Sequence, residues 1–162
     1  MLIRAERMAA LDFPALMEVY RESSGENGAY FWPDEPPERQ RALAERRFET
    51  YLRGDFFGRA RGSYYIWAED GRYVAALRLE EHEDGLLLEA LETRPDSRRR
   101  GRAKELISAV LGLLPPGTRV YSHVNRRNGA SLATHRACGF SEGAAGDERY
   151  ALMERVLPGG QP

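Results

Sequence analysis

The chain has 162 residues, 42% of them hydrophobic and 30% charged, with a net charge of −1; this length suits one domain with a full core, and the composition excludes fibrous, disordered and disulfide-rich classes. No apolar run approaches the ~20 residues of a membrane span, and Met1-Leu2-Ile3-Arg4 lacks the apolar stretch of a secretion signal, so the expected compartment is the cytoplasm. The single cysteine, Cys138, makes no internal disulfide, and His82, His123 and His135 show no metal-ligand spacing, so no metal site is expected.

In chain order, Met1 to about Glu6 predicts an edge strand. Asp12 then caps a helix with Pro14 in its first turn and Leu11, Ala15, Leu16 and Val19 as its apolar stripe. Ser23 to Gly28 is expected to end that helix, and Pro33, Pro36 and Pro37 to keep the following segment irregular. A second helix follows from Glu38 to about Arg53. Tyr64 to Glu69 and Tyr73 to Leu79 form a hairpin through Asp70-Gly71, which supplies the positive-φ turn that two-residue hairpins need. Leu86 to Thr93 is the next strand. Gly101 to Leu114 repeats apolar residues at helical spacing and stops at Pro115-Pro116-Gly117. Arg119 to Asn125 is a strand, Ala130 to about Cys138 a helix closed by Gly139, and Tyr150 to Leu157 the last strand. Strand, helix and strand from Leu86 to Asn125 imply a parallel pair with a right-handed crossover beside an antiparallel hairpin. The fold class is therefore a mixed α/β sheet flanked by helices, a single domain over 1–157 with a fraying tail at 158–162.

The stretch Arg98-Arg99-Arg100-Gly101-Arg102-Ala103 lies where a strand hands over to a helix. The first turn of a helix has unpaired N–H groups and partial positive charge, so it binds anions. Gly101 lets the backbone approach a phosphate, and Ala103 keeps the next turn open. Between Arg94 and Lys104 there are six basic residues and the one acid Asp96, a local charge of +5 in a chain of net charge −1. So local a patch favours one small polyanion over nucleic acid, which would call for a second basic and aromatic surface.

The pattern Arg-x-x-Gly-x-Ala, behind a strand and Pro95, resembles the pyrophosphate-binding motif of the GNAT superfamily of acyl-CoA-dependent N-acyltransferases. Asn128 to Phe140 is similar to the second signature of that superfamily, an Asn, a helix and then Gly-Phe. The resemblance spans about Tyr64 to Leu157. It implies acetyl-CoA as acyl donor, an amine acceptor that is a small molecule or a protein, and direct transfer in a ternary complex. It also implies cofactor contacts from Leu91, Thr93, Arg98, Arg99, Arg100, Gly101, Arg102, Ala103, Lys104, Asn128 and Ser131. In the family the strand holding Leu91 to Thr93 splays from its neighbour, and its free main-chain groups take the pantetheine arm and the oxyanion. His135 stands where the family places its proton donor, often a Tyr, and the loop holding Tyr30, Phe31 and Trp32 corresponds to the acceptor wall. A noncatalytic domain that binds CoA as a sensor is the second reading.

Acetyl transfer to an amine needs a proton acceptor, because an alkylammonium of pKa ~10.4 is charged at neutral pH. Glu89 and Glu92 are the carboxylates on the strand ending at the basic turn, and strict alternation points them to opposite faces. Glu92 is favoured for its nearness to the turn, and each is equally well a solvated strand carboxylate. His135 either protonates the departing sulfur, hydrogen-bonds to it, or is a packed histidine. Asn128 and Ser131 hold the pantetheine arm, cap the following helix, or both. Cys138 reads as a small buried hydrophobe. Exposed edge strands leave a homodimer open.

Overall fold

A computed structural model describes residues 1–159; Gly160, Gln161 and Pro162, to which the expected fraying of the tail also applies, lie outside the described residues. Among the described residues five α-helices and seven strands follow one another: β1 (Leu2–Ala5), α1 (Phe13–Val19), α2 (Arg21–Phe31), α3 (Pro37–Tyr51), β2 (Gly62–Glu69), β3 (Arg72–His82), β4 (Gly85–Thr93), α4 (Arg102–Leu111), β5 (Arg119–Asn125), α5 (Gly129–Ala137), β6 (Ser141–Glu142) and β7 (Tyr150–Val156). The strands form one sheet in the order β1-β2-β3-β4-β5-β7-β6. Every neighbouring pair is antiparallel except β4 and β5. This is the mixed sheet with one parallel crossover that the sequence predicts.

Local signals account for most of the elements. The Asp12 carboxylate accepts from Ala15 N–H at 3.1 Å and starts α1. Asp70 and Gly71 both take positive φ (48° and 74°), closing the β2–β3 hairpin. Each face of the sheet then buries its own core. Leu106, Ile107 and Val110 of α4 pack with Leu77, Leu88, Val120 and Met153 on one face; Leu16, Val19 and Tyr20 pack with Leu52, Phe56, Tyr64 and Ile66 on the other. A buried residue of this size stabilises by about 1.5–3 kcal/mol relative to exposure, so these two layers hold the helices against the sheet.

Four features depart from the sequence reading. Ser23 to Gly28 does not end a helix: the chain bends at Tyr20 and α2 runs straight through it. Gly28 is there for contact, since a Cβ at that position would lie 2.4 Å from the Gln40 carbonyl oxygen, and a glycine lets α2 and α3 touch backbone to backbone. A short π-helical turn, Leu52–Phe56, follows α3 and inserts Leu52 and Phe56 into the core. The helix expected to reach Leu114 ends at Leu111, and the two-residue strand β6 pairs with β7.

The feature that shapes the site is a bulge in β4. Ala76 pairs with Glu92 and Arg78 with Glu89, so two β4 residues, Ala90 and Leu91, stand opposite Leu77 alone. Ala90 has φ 52°, a left-handed conformation that alanine rarely takes. Ala76 and Arg78 are two residues apart and share a face, so Glu89 and Glu92 share it too. The expectation of opposite faces is therefore corrected: the extra residue restores the phase. On its other side, β4 pairs with β5 only at Leu86 and Leu87, and the two strands part beyond that point. The splay implied by the family resemblance is present.

Candidate active site

Where β4 and β5 part, a cleft of about 670 Å³ opens between four elements. Its floor is Leu91, Glu92 and Thr93 of β4. One end is the turn before α4, with Arg98, Arg99, Gly101, Arg102, Ala103 and Lys104; α5 adds Asn128, Ala130, Ser131 and Thr134, and α2 adds Glu22, Ser23 and Glu26. Most of the residues named for cofactor contact meet here. Arg100 is exposed and off the cleft wall.

The turn is built to receive an anion. Arg99 (φ 61°) and Gly101 (φ 75°) both take left-handed conformations, which curl the N–H groups before α4 into a concave nest. From Arg99 to Lys104 those groups have no backbone acceptor among the described residues; the first that has one is Glu105 N–H, which donates to the Gly101 carbonyl at 3.0 Å. A Cβ on Gly101 would meet nothing within 4 Å, so the space over the turn is open. The arginines divide in role. Arg102 pairs with Glu69 at 2.7 Å and Glu105 at 2.9 Å, pinning α4 to β2, while Arg98 pairs with Glu22 at 2.5 Å and ties the turn to α2. Arg99 and Lys104 form no ion pair among the described residues and face the cleft. Asn128 caps α5, its side-chain oxygen accepting from Ser131 N–H at 3.0 Å, and stays on the cleft wall.

Glu92 is half-buried on the floor, and its carboxyl is pushed up to about 7. Loss of hydration is the leading cause. The Ser23 hydroxyl and Arg98 pull the other way, and Glu22 and Glu26 raise it further. Glu89, the alternative base, is held by both Nε and Nη2 of Arg78 at 3.2 Å and lies off the cleft.

The structure places His135 in the core, 1% exposed, instead of on the cleft wall. Its Nδ1–H donates to the Ser131 carbonyl at 2.8 Å, and the ring stands edge-on to Phe140 at 5.2 Å. Burial holds its pKa down. A neutral ring with its proton on Nδ1 has only a lone pair at Nε2, which has no partner among the described residues, so the ring is set as an acceptor and not as a donor to sulfur. Its neighbour Thr134 reaches the cleft, with Ala130 and Ser131 of the same helix. Tyr30, Phe31 and Trp32 also fall outside the cleft, at the far end of α2, where Arg47 stacks on Phe31 at 4.0 Å. The cleft residues that sequence reasoning missed are Glu22, Ser23 and Glu26 of α2 and Ala130 and Thr134 of α5. For α2 the signal was the i, i+4 spacing of Glu22 and Glu26, masked by reading the same stretch as a helix break.

The model of the acetyltransferase (GNAT) family matches residues 14–140. The chain belongs to this family. As a member it is an acetyltransferase with acetyl-CoA as its acyl donor. Among solved structures it is similar to PaiA N-acetyltransferase from Thermoplasma acidophilum in complex with coenzyme A (17% identity, 97% of this chain and 99% of that one, TM-score 0.63). It is also similar to ribosomal-protein-alanine N-acetyltransferase from Brucella melitensis (17%, 97% and 99%, TM-score 0.61). Spermidine N-acetyltransferase from Vibrio cholerae in complex with CoA and spermine is a third (15%, 96% and 95%, TM-score 0.59). These identities establish a shared fold. No curated protein sequence matches the chain significantly. Among the described residues no group of three or more His, Cys, Asp or Glu side chains is placed to hold a metal ion, and no helix is long and apolar enough to cross a membrane.

Proposed function

We propose that this acetyltransferase moves the acetyl group directly to a cationic amine within one ternary complex, with Glu92 as the proton acceptor. The observation that carries the reading is Glu92 itself, a half-buried carboxyl at about 7 on the floor of the cleft that holds the anion-binding turn. A base with a pKa near the working pH is both available and strong enough to take a proton from an ammonium, directly or through water. Acetyl-CoA brings the reactive thioester. The chain's part is to hold the phosphates on the N–H groups from Arg99 to Lys104, to offer the β4 N–H groups that lack a β5 partner near Leu91 to Thr93 to the pantetheine arm and the oxyanion, and to receive the proton at Glu92.

Glu22, held by Arg98 of the turn, and Glu26, which forms no ion pair among the described residues, line the α2 side of the cleft, and the unpartnered carboxylate of Glu26 draws an ammonium toward Glu92 while repelling carboxylates. Spermidine and an alanine of a ribosomal protein are the acceptors named for two structures of the same fold. They therefore head a panel scored by release of free thiol from acetyl-CoA. The reading expects turnover with cationic amines, rising with pH through the Glu92 titration, and loss of turnover with CoA binding retained in Glu92→Gln. Full turnover in Glu92→Gln would overturn the assignment of the base, and preference for acidic acceptors would overturn the substrate class.

A further inference from the structure

Beneath the β4 bulge runs a chain of buried polar side chains that the reaction as described does not use. Tyr20 stands at the bend between α1 and α2, 5% exposed, and its hydroxyl donates to the carbonyl of Ala90 at 2.6 Å. Tyr64, on β2 and fully buried, donates to the Tyr20 hydroxyl at 2.8 Å. Arg78 is the cross-strand neighbour of Tyr64, lies over the rings of Tyr51 and Phe56 at 5.0 and 5.6 Å, and grips Glu89, the residue before Ala90. Burial holds both tyrosine hydroxyls well above their ordinary range, so both stay protonated and able to donate.

Ala90 is the left-handed residue that sets the bulge, and a left-handed alanine persists only where its surroundings hold it. A carbonyl turned out of the ladder by the bulge also needs a donor, or the backbone relaxes to recover one. Tyr20 meets both needs from a different element. The bulge decides which way the next β4 residues face, and Glu92 lies two residues beyond the carbonyl that Tyr20 holds.

We propose that Tyr20, relayed by Tyr64, is a positioning residue for the reaction: by holding the Ala90 carbonyl it keeps the bulge that turns Glu92 onto the floor of the cleft. The proposal rests on the assignment of Glu92 as base. The groups that bear on Glu92 charge are Glu22, Ser23 and Glu26 of α2, Arg98 of the basic turn, Tyr20 at the helix bend and Tyr64 of β2. All but Tyr20 stay unchanged in the decisive variant.

The test compares wild type, Tyr20→Phe, Tyr64→Phe and the double variant Tyr20→Phe with Ala90→Gly, by steady-state kinetics across pH and by carbon-13 NMR titration of the Glu92 carboxyl. Tyr20→Phe is expected to lower kcat about tenfold, with the KM for acetyl-CoA within about threefold of wild type. It is also expected to move the Glu92 midpoint down by about one pH unit, as the carboxyl escapes its desolvated place. Tyr64→Phe should do the same to a smaller extent. Ala90→Gly should restore kcat and the midpoint in the Tyr20→Phe background, since glycine holds positive φ without a clamp. A folded Tyr20→Phe protein that is less stable but keeps its kcat and its Glu92 midpoint overturns the proposal, and so does a double variant that recovers neither. If wild type turns over no amine, the reading of Glu92 as base fails. The carboxyl titration still decides the positioning role: an equal midpoint in wild type and Tyr20→Phe refutes it, and a lower one in Tyr20→Phe upholds it. Should Tyr20→Phe not fold, the same comparison is made with Tyr64→Phe.

Discussion

Replacing Glu92 with Gln removes a charge from a desolvated floor and leaves the shape intact, so its effect on stability can be worked out with its sign. The carboxyl sits at about 7 in the folded protein against an ordinary 4.5. Between those values the native state binds more protons than the unfolded chain. The stabilisation tied to the protonated form is complete below about 4.5 and is lost as pH rises through about 7. At about 1.4 kcal/mol per pH unit, this displacement corresponds to about 3 kcal/mol by pH 8. Gln mimics the protonated acid at every pH. Glu92→Gln should therefore match wild type near pH 4.5 and exceed it by about 3 kcal/mol at pH 8, or roughly 6–12 °C in Tm for a chain of this size. Urea unfolding of both proteins at half-unit intervals from pH 4.5 to 8.5 measures the gap, and all other titrating groups cancel in the difference. The same variant should lose turnover, so stability and activity move in opposite directions. Two parallel stability curves, with no gap opening between pH 5 and 8, would mean that Glu92 is hydrated in the folded protein and is not the poised base.

Two further substitutions probe the ends of the cleft. Gly101→Val places a β-branched side chain at φ 75° and into the open space over the anion-binding turn; it should destabilise the fold by about 1–2 kcal/mol and weaken CoA binding by at least about tenfold, measured by titration calorimetry. Unchanged affinity in the folded variant would put the phosphates elsewhere. His135→Phe keeps the ring packed against Phe140 and removes only the bond to the Ser131 carbonyl, so turnover should stay within about threefold of wild type and stability should fall by about 1 kcal/mol. A loss of about a hundredfold in the chemical step, with CoA affinity intact, would return a proton-transfer role to His135.

What the sequence determined by itself was everything written in short-range chemistry. Asp12 and Asn128 cap their helices within three residues, Asp70-Gly71 closes its hairpin by positive φ, and the helical apolar spacing after Gly101 marks α4. The anion-binding turn is legible for the same reason: a strand, a glycine and a helix start lie within a dozen residues, and the N–H groups that bind are unpaired by the geometry of any helix. The tertiary structure decided the end of the cleft that holds Glu92. Gly28 looks like a helix breaker until Gln40 is laid against it, and only then do Glu22 and Glu26 come onto one face beside the cleft. Period-two alternation sends Glu89 and Glu92 to opposite faces, and the bulge that brings them back carries a carbonyl, that of Ala90, bonded by a tyrosine 70 residues away. His135 lies within a recognisable signature, yet its tautomer and its lack of access follow from the Ser131 carbonyl and the Phe140 ring around it. Caps, turns and periodicity act between near neighbours and so can be read along the chain. Bulge placement, desolvation and proton affinity arise from groups that meet only when the chain has folded.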